Sequence, residues 1–188
     1  SEIYDGMLKK ADLVTYSADR LMRYAGGRKD AVKLNNGVCL EDFQTVSPDC
    51  RPIDEMERIK ENGSKIIGYF GAIEEWFDLR AIEYLLDHTE YEIVLIGRIG
   101  IDLERIKNKR CHLIHALPYQ ELKHYARYFD VAMIPFIVNH LTNSVSPVKF
   151  FEYMALMLPV VSSDIHEMQQ YQNEFVHIYH NYDEMVSS

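Results

Sequence analysis

The sequence predicts an α/β fold in which a parallel sheet carries helices on both faces. From about residue 65 onwards, short apolar runs alternate with amphipathic stretches, which is typical of repeated βα units. The amphipathic stretches have helical spacing, as in Leu79, Ile82, Leu85 and Leu86. With 188 residues and 47% hydrophobic content, the chain can also bury a full core.

The predicted elements follow one another in a regular order. Each predicted strand is a short apolar run bounded by turn residues, and the strands are 65–70, 91–96, 112–115, 131–134, 159–162 and 175–178. The predicted helices are 76–87, 101–108, 119–128, 147–156 and 165–172. This order favours a doubly wound sheet, whose ligands bind beyond the carboxyl ends of the strands at the switch point. We therefore expect a site in the loops after the first and fourth of these strands.

The first 64 residues have a different pattern. Residues 12–16 and 31–34 read as strands, residues 19–25 as a helix, and Asn35-Asn-Gly37 as a turn. Residues 45–64 show little periodicity, as expected of a linker. We predict three parts: 1–47 as the end of a preceding domain and its hinge, 48–64 as a linker, and 65–188 as the main domain.

Composition excludes several classes of function. A net charge of −9 and a pI near 5.3 argue against nucleic acid as a partner. The longest apolar run, 131–138, contains a proline and is too short to span a membrane. The cysteines, Cys39, Cys50 and Cys111, are odd in number and scattered, and the chain opens without a signal-peptide pattern. These features favour a cytoplasmic location. The cysteines and histidines do not have the spacing of zinc ligands, so the sequence does not indicate a metal site.

The start of the fourth predicted helix carries an unusual charge. Ser146 is a good N-cap and Pro147 suits the first helical position, so Lys149 falls at about the third. A cation there opposes the helix dipole, which indicates that an anion compensates it. Glu152 shares the face of Lys149, and the two together match a diphosphate joined to a ribose. The alternative is an exposed intrahelical ion pair of little energetic value.

Several segments in order resemble one enzyme family. They are Ala11-Asp-Leu-Val-Thr-Tyr-Ser17, Leu34-Asn-Asn-Gly-Val38 with Phe43, Ile67-Gly-Tyr-Phe-Gly71, Val94-Leu-Ile-Gly97, Tyr128-Phe-Asp-Val-Ala-Met-Ile-Pro-Phe136, and Phe151-Glu-Tyr-Met-Ala155 with Pro159-Val-Val161. The series resembles GT-B glycosyltransferases, in particular the large retaining family 4 and its teichuronic-acid-type bacterial branch. The resemblance covers the Rossmann-like, carboxyl-terminal half that binds the nucleotide sugar, and it implies that the acceptor-binding half is absent.

The resemblance implies roles for the helix start. Glu152 corresponds to the second glutamate of the family's Glu-x7-Glu motif, which takes the ribose hydroxyls. Ser144 stands where the first glutamate is expected, which is a departure from the motif. Lys149 is expected to face the diphosphate. The backbone that would join it there belongs to Ser146, Pro147 and Val148.

The resemblance also points to three loops. Gly71 begins the turn after the first strand, where the family's basic pair is missing, and Arg98 is a further candidate for the diphosphate. The segment containing Ala116 and Leu117 corresponds to the loop that receives the base. Other interpretations stay open: Gly71 as a tight turn, Trp76 and Phe77 as packing residues, and Arg98 as a solvated charge.

The function implied by the resemblance is retaining, metal-independent glycosyl transfer. The donor would be a UDP- or GDP-sugar, with no cofactor, and the acceptor a cell-surface glycan or lipid-linked glycan bound through the absent domain. Peripheral association with the inner face of the membrane stays open. The alternative is a catalytically decayed scaffold or regulatory module, favoured by the missing glutamate. A dinucleotide-dependent redox enzyme is disfavoured, because neither Gly68-Tyr-Phe-Gly71 nor Gly97-Arg-Ile-Gly100 has the G-x-G-x-x-G spacing.

Overall fold

The computed structural model describes residues 2–44, 52–61, 63–107 and 110–188. The amino-terminal part consists of short elements. In order, they are α1 (Glu2–Lys10), β1 (Thr15–Tyr16), a 3-10 helix (Asp19–Tyr24), β2 (Val32–Lys33), α2 (Leu40–Gln44) and α3 (Asp54–Lys60). β1 and β2 pair in parallel as a small sheet of their own.

The rest of the chain alternates strands and helices. The strands are β3 (Ile66–Phe70), β4 (Glu92–Ile96), β5 (Cys111–Ile114), β6 (Val131–Ile134), β7 (Val160–Ser163) and β8 (Val176–Tyr179). The helices are α4 (Leu79–His88), α5 (Leu122–Ala126), α6 (Val148–Ala155), α7 (His166–Gln169) and α8 (Tyr182–Ser187). Each of the six strands predicted from residue 65 onwards is confirmed to within one residue at either end, whereas β1 is three residues shorter at its start than the strand predicted at 12–16.

Among the described residues, the main sheet is parallel throughout and runs in the order β5-β4-β3-β6-β7-β8. Gly68 in β3 lies beside Val94 of β4 on one side and Ala132 of β6 on the other. The chain therefore builds outward from β3 in one direction and from β6 in the other. This confirms the predicted doubly wound sheet and places its switch point between β3 and β6.

The helices cover both faces because right-handed crossovers in opposite directions lie on opposite sides of a sheet. α4 packs against α8, whereas α6 packs against β6, β7 and α2. The inner face of α4 is formed by Ala81, Ile82, Leu85 and Leu86, all buried. The central strands are buried on both faces, as expected for a sheet sandwiched between helices.

The helix predicted at 101–108 is wrong. The described part of this segment contains only a 3-10 turn at Glu104–Ile106. The Asp102 carboxylate accepts a hydrogen bond from the N–H of Glu104, at 2.9 Å, so the side chain supplies a local alternative to a helical bond. The helix predicted at 119–128 is likewise shorter, with a 3-10 turn before α5, and α7 is shorter than predicted.

The turn predicted at Asn35-Asn-Gly37 is also absent. Residues 35–37 follow β2 and form no hydrogen-bonded turn. Instead, the Asn36 amide donates to the Ser146 carbonyl at 2.7 Å. The amino-terminal segment is thereby tied to the loop before α6.

α3 lies within the segment predicted as a linker. Its Met56 and Ile59 are buried in the same core as the sheet, and the Tyr128 hydroxyl donates to Glu57 at 2.6 Å. Two apolar positions in a seven-residue helix are too few to show periodicity in sequence. The boundary predicted between residues 47 and 48, and Cys50, lie outside the described residues, and the division into domains stays a prediction.

Asp78 connects the start of α4 to α8. One oxygen of its carboxylate accepts from the N–H of Arg80 at 3.0 Å, and the other accepts from the Tyr182 hydroxyl at 2.9 Å. We expect Asp78→Ala to cost about 1–2 kcal/mol in urea unfolding, because both bonds are lost. Asp78→Ser, which retains a capping oxygen, and Tyr182→Phe should each cost less. An equal loss in all three variants would contradict this division.

Candidate nucleotide-sugar site

The loops after β3 and β6 are joined to one another at the switch point. The N–H of Asp78 donates to the Pro135 carbonyl at 2.7 Å, and the N–H of Ile137 donates to the Trp76 carbonyl at 2.8 Å. Phe77 and Phe136 form an antiparallel bridge between these bonds. The two loops predicted to hold the ligand therefore form one wall.

α6 begins one residue later than predicted. Pro147 is the N-cap, with ψ of 113°, and Lys149 is the second helical residue rather than the third. Proline's fixed φ is compatible with either position, so the sequence does not distinguish them. Among the described residues, no acceptor pairs with the backbone N–H of Val148 or Lys149. These donors are available to an anion.

Lys149 lies directly against Gly71 at the end of β3. A Cβ added to Gly71 would fall 2.1 Å from Cε of Lys149 and 2.5 Å from its Nζ. The ammonium lies 5.4 Å from the ring centre of Tyr69 and 5.9 Å from that of Phe136. Burial lowers the pKa of Lys149, and the charge of Glu152 partly offsets that effect. Across the described parts of the chain, Lys149 forms no salt bridge.

Glu152 lies deeper along α6 and is 6% exposed. Burial raises the pKa of its carboxyl, while the Tyr119 hydroxyl and Lys149 act in the opposite direction. Burial, followed by the charge of Glu152, raises the pKa of Tyr119 to about 12. The Tyr119 ring packs edge-on against Phe43 of α2, with ring centres 5.4 Å apart. Lys149 and Glu152 are therefore two largely buried charges rather than the exposed ion pair considered as the alternative.

Two glycines make room for this arrangement. Gly71 has φ of +135° and Gly97 has φ of +153°, which L side chains rarely adopt. A Cβ on Gly97 would fall 1.9 Å from the carbonyl oxygen of Gly71. Gly71 is thus both a turn residue and the surface on which Lys149 rests.

Arg98 has a partner within the chain. Its guanidinium lies 2.6 Å from the Glu74 carboxylate, and its side chain is 74% exposed. It does not line the cleft beside Lys149. The geometry favours the solvated, paired charge over a diphosphate ligand.

Ser144 does not present its hydroxyl as a replacement for the missing glutamate. The hydroxyl donates to the His140 carbonyl at 2.9 Å, within a 3-10 turn at Thr142–Ser144. Ser146 is buried, and the structure shows no cap bond from it to α6. The sequence indicated that a carboxylate is missing here, but not that the serine side chain turns onto its own backbone.

Ala116 and Leu117 follow β5, which lies beside β4 in the sheet. Ala116 is exposed, whereas Leu117 packs partly against the core. The segment leads directly to Tyr119, which reaches Glu152. The structure therefore places this loop next to the predicted ribose ligand.

A cleft of about 450 Å³ opens beside the start of α6. Its lining residues are Asn36, Trp76, Phe136, Leu141, Thr142, Val145, Ser146, Pro147, Val148 and Lys149. Sequence reasoning named the last four, but missed Asn36, Leu141 and Val145, which come together only in the folded chain. Trp76 packs on the core, as expected of a packing residue, and it also lines the cleft. Phe77 is buried, as expected.

One acidic group could in principle hold a metal. Asp19, His166 and Glu167 place ligand atoms within 4.8 Å of one another. The Lys33 ammonium already lies 2.8 Å from Asp19 and 3.0 Å from Glu167. Because the Lys33 ammonium already lies where a metal cation would bind, the cluster of Asp19, His166 and Glu167 acts as a structural link between β2 and α7. Separately, none of the described helices is long and apolar enough to cross a membrane.

Comparison with known proteins agrees with this architecture. No family model matches the sequence. The chain is 25% identical, over an alignment of 190 positions, to TuaH of Bacillus subtilis (strain 168), whose name assigns it as a glycosyltransferase to teichuronic acid biosynthesis. The alignment covers 92% of this chain and 45% of TuaH.

Solved structures share the fold over nearly the whole chain. HepE from Anabaena, in complex with UDP and glucose, superposes with a TM-score of 0.68 at 13% identity, covering 99% of this chain and 55% of HepE. A UDP-forming trehalose-phosphate synthase from Burkholderia xenovorans gives a TM-score of 0.70 at 14% identity, with 99% and 54% covered. The chain has the fold of the carboxyl-terminal half of GT-B glycosyltransferases. It spans about half the length of these relatives.

The contact between Gly71 and Lys149 in this GT-B half can be tested by stability. Gly71→Ala should destabilise the fold by about 1–3 kcal/mol, because L side chains rarely adopt φ of +135° and because the end of the Lys149 side chain must move away from the new Cβ. Gly27→Ala is the matched control, since Gly27 has φ of +75° and open space around it. Equal losses for the two variants in urea unfolding would contradict this expectation, because Gly71 has both the rarer φ and the occupied space.

Proposed function

We propose that this chain is the nucleotide-sugar-binding half of a glycosyltransferase. The complete enzyme would transfer a glycosyl group from a UDP- or GDP-sugar, with retention of configuration and without a metal, to a cell-surface polysaccharide or lipid-linked glycan. The observation that carries the proposal is the Lys149 ammonium, largely buried at the open end of α6 with no salt bridge among the described residues. A diphosphate supplies the missing negative charge.

The helix start suits a leaving diphosphate. The free N–H groups of Val148 and Lys149 and the ammonium of Lys149 are fixed before the reaction, so they stabilise developing negative charge without reorganising. In this proposal they take the place that a metal ion has in other transferases. Glu152 accepts the ribose hydroxyls and fixes the position of the donor rather than moving a proton.

The relatives support the same assignment. HepE was solved with UDP and with UDP-glucose, and TuaH carries the name of a teichuronic acid biosynthesis glycosyltransferase. The acceptor would bind to the other half of the enzyme, which this chain does not cover. We place the complete enzyme in the cytoplasm, at the inner face of the membrane, where a lipid-linked acceptor is accessible.

Ligand binding tests the site directly. We expect UDP or GDP, titrated by calorimetry into the 188-residue chain, to bind, and Lys149→Met to weaken binding at least about tenfold through loss of a charge-assisted contact. Glu152→Gln should weaken nucleotide binding more than it weakens the binding of inorganic pyrophosphate, because its contact is with the ribose, whereas its effect on Lys149 is common to both ligands. Lys65→Met is the control: this lysine pairs with Asp130 at the amino ends of the strands.

The same titration distinguishes an enzyme half from a decayed scaffold. A ligand at a hundredfold its dissociation constant stabilises the fold by about 2.7 kcal/mol, which a thermal shift detects. A scaffold would show no shift with any of UDP, GDP or ADP. Unchanged affinity in both Lys149→Met and Glu152→Gln would remove the two residues from the site.

Binding should also depend on pH in a defined direction. Burial places the pKa of Lys149 below its ordinary value of 10.5. Since the diphosphate needs the protonated form, affinity should fall as pH rises through this lowered pKa, beginning below 10.5. The Lys149→Met variant should lack the part of the pH dependence that comes from Lys149. Subtracting the affinity–pH profile of this variant removes the contribution from ionisation of the base and the phosphate. Parallel profiles for the two proteins would contradict the assignment.

A further inference from the structure

Most polar side chains of the loop between β6 and α6, with Ser146 as an exception, are already engaged in hydrogen bonds. The Asn139 side-chain oxygen accepts from the N–H of Leu141 and of Thr142, at 2.8 and 3.0 Å. The Thr142 hydroxyl donates to the Ile137 carbonyl at 2.6 Å. The hydroxyl of Ser144 is bonded to His140, and the Asn143 side-chain oxygen accepts from the N–H of His166 at 2.8 Å. The loop is internally crosslinked by the groups that could otherwise bind sugar hydroxyls.

Most of the other side chains on the cleft side are apolar. Leu141, Val145 and Val148 are 62%, 38% and 42% exposed, and all three line the cleft. Trp76 and Phe136 complete the apolar lining. None of the cleft-lining residues carries a carboxylate, although carboxylates are common partners of sugar hydroxyls.

Two polar groups in the lining keep unused hydrogen-bonding capacity. Asn36 donates through its nitrogen to the Ser146 carbonyl, and no contact is shown to its side-chain oxygen. The Ser146 hydroxyl likewise has no hydrogen bond among the described residues. An acceptor and a hydroxyl beside an aliphatic surface suit an amide that carries a methyl group.

We infer that the donor carries an N-acylamino sugar, whose acyl methyl packs on Leu141, Val145 and Val148 and whose amide faces Asn36 and Ser146. The inference rests on the proposed function, because it takes Lys149 as the diphosphate ligand. An N-acylamino group at the carbon next to the anomeric carbon lies close to the diphosphate. The residues proposed to contact it line the same cleft as Lys149, the proposed diphosphate ligand. The cleft volume of about 450 Å³ lies within the usual range for ligands of this size. A hydroxyl in the same place would lose water against an aliphatic wall.

The experiment compares UDP, UDP-glucose, UDP-N-acetylglucosamine and UDP-N-acetylgalactosamine by calorimetry on the 188-residue chain. We expect at least one N-acetyl donor to bind about fivefold or more tightly than UDP-glucose, which is within the range for a methyl group in an apolar site. UDP-glucose binding as tightly as both N-acetyl donors would overturn the inference while leaving the proposed function in place. Failure of UDP itself would overturn the inference, and failure of GDP and ADP as well would overturn the proposed function.

Matched variants locate the contact. Val145→Thr replaces a methyl group with a hydroxyl at nearly constant volume. It should reduce the N-acetyl preference, measured as the ratio of the affinities for the N-acetyl donor and for UDP-glucose, to about twofold or less. Val138→Thr is the control, since Val138 is similarly exposed in the same loop but lines a different cavity, beside Tyr179 and Tyr182. An equal effect of the two substitutions, or none from Val145→Thr, would overturn the placement of the acyl group.

Discussion

The rest of the site depends on a charge held against a backbone. The Lys149 side chain occupies the space where Gly71 lacks a Cβ, and Gly97 in turn leaves room for the carbonyl of Gly71. The carboxyl ends of β3 and β4 and the amino end of α6 are therefore fitted to one another through two glycines and one lysine. If Lys149 served only to pack against its neighbours, an apolar residue could replace it, and the loss of its charge would not lower the stability of the fold. The ammonium and the unbonded N–H groups beside it form an arrangement that is suited to binding an anion.

The charges around Lys149 do not neutralise one another. Glu152 acts on Lys149 through space, yet burial shifts both groups towards their neutral forms, so the pair is a poor substitute for a salt bridge. Tyr119 supports the charged form of Glu152 from the other side. A diphosphate adds negative charge next to Lys149, and ribose hydroxyls add donors next to Glu152. A nucleotide would thus favour the charged form of both residues at once. Lys149 and Glu152 alone do not fully stabilise each other's charge.

The sequence predicted the sheet well and the site in part. The strands are buried apolar runs with turn residues at each end, so their positions and the switch point could be predicted before the structure. Helices were less certain, because short ones such as α3 carry too few apolar positions and local side-chain bonds such as that of Asp102 compete with them. Lys149 and Glu152 were predicted as site residues from charge and spacing within one helix, and the structure shows them as two largely buried charges. Asn36, Leu141 and Val145 were not, since their meeting beside Lys149 depends on a parallel crossover and on an internally bonded loop that no local pattern encodes.

The amino-terminal segment is attached to this same region at several points, which bears on how the two halves of an enzyme would communicate. Asn36 bonds the carbonyl of Ser146, directly before α6, and Lys33 joins Asp19 to the buried Glu167 of α7. A rotation of the preceding half about this segment would have to break these bonds or move the start of α6 with it. Because Ser146 and Lys149 line one cleft, such a movement would change the cleft as the acceptor half approached. In the proposed enzyme, the hydrogen bond of Asn36 would therefore link the position of an acceptor-binding half to the geometry around Lys149.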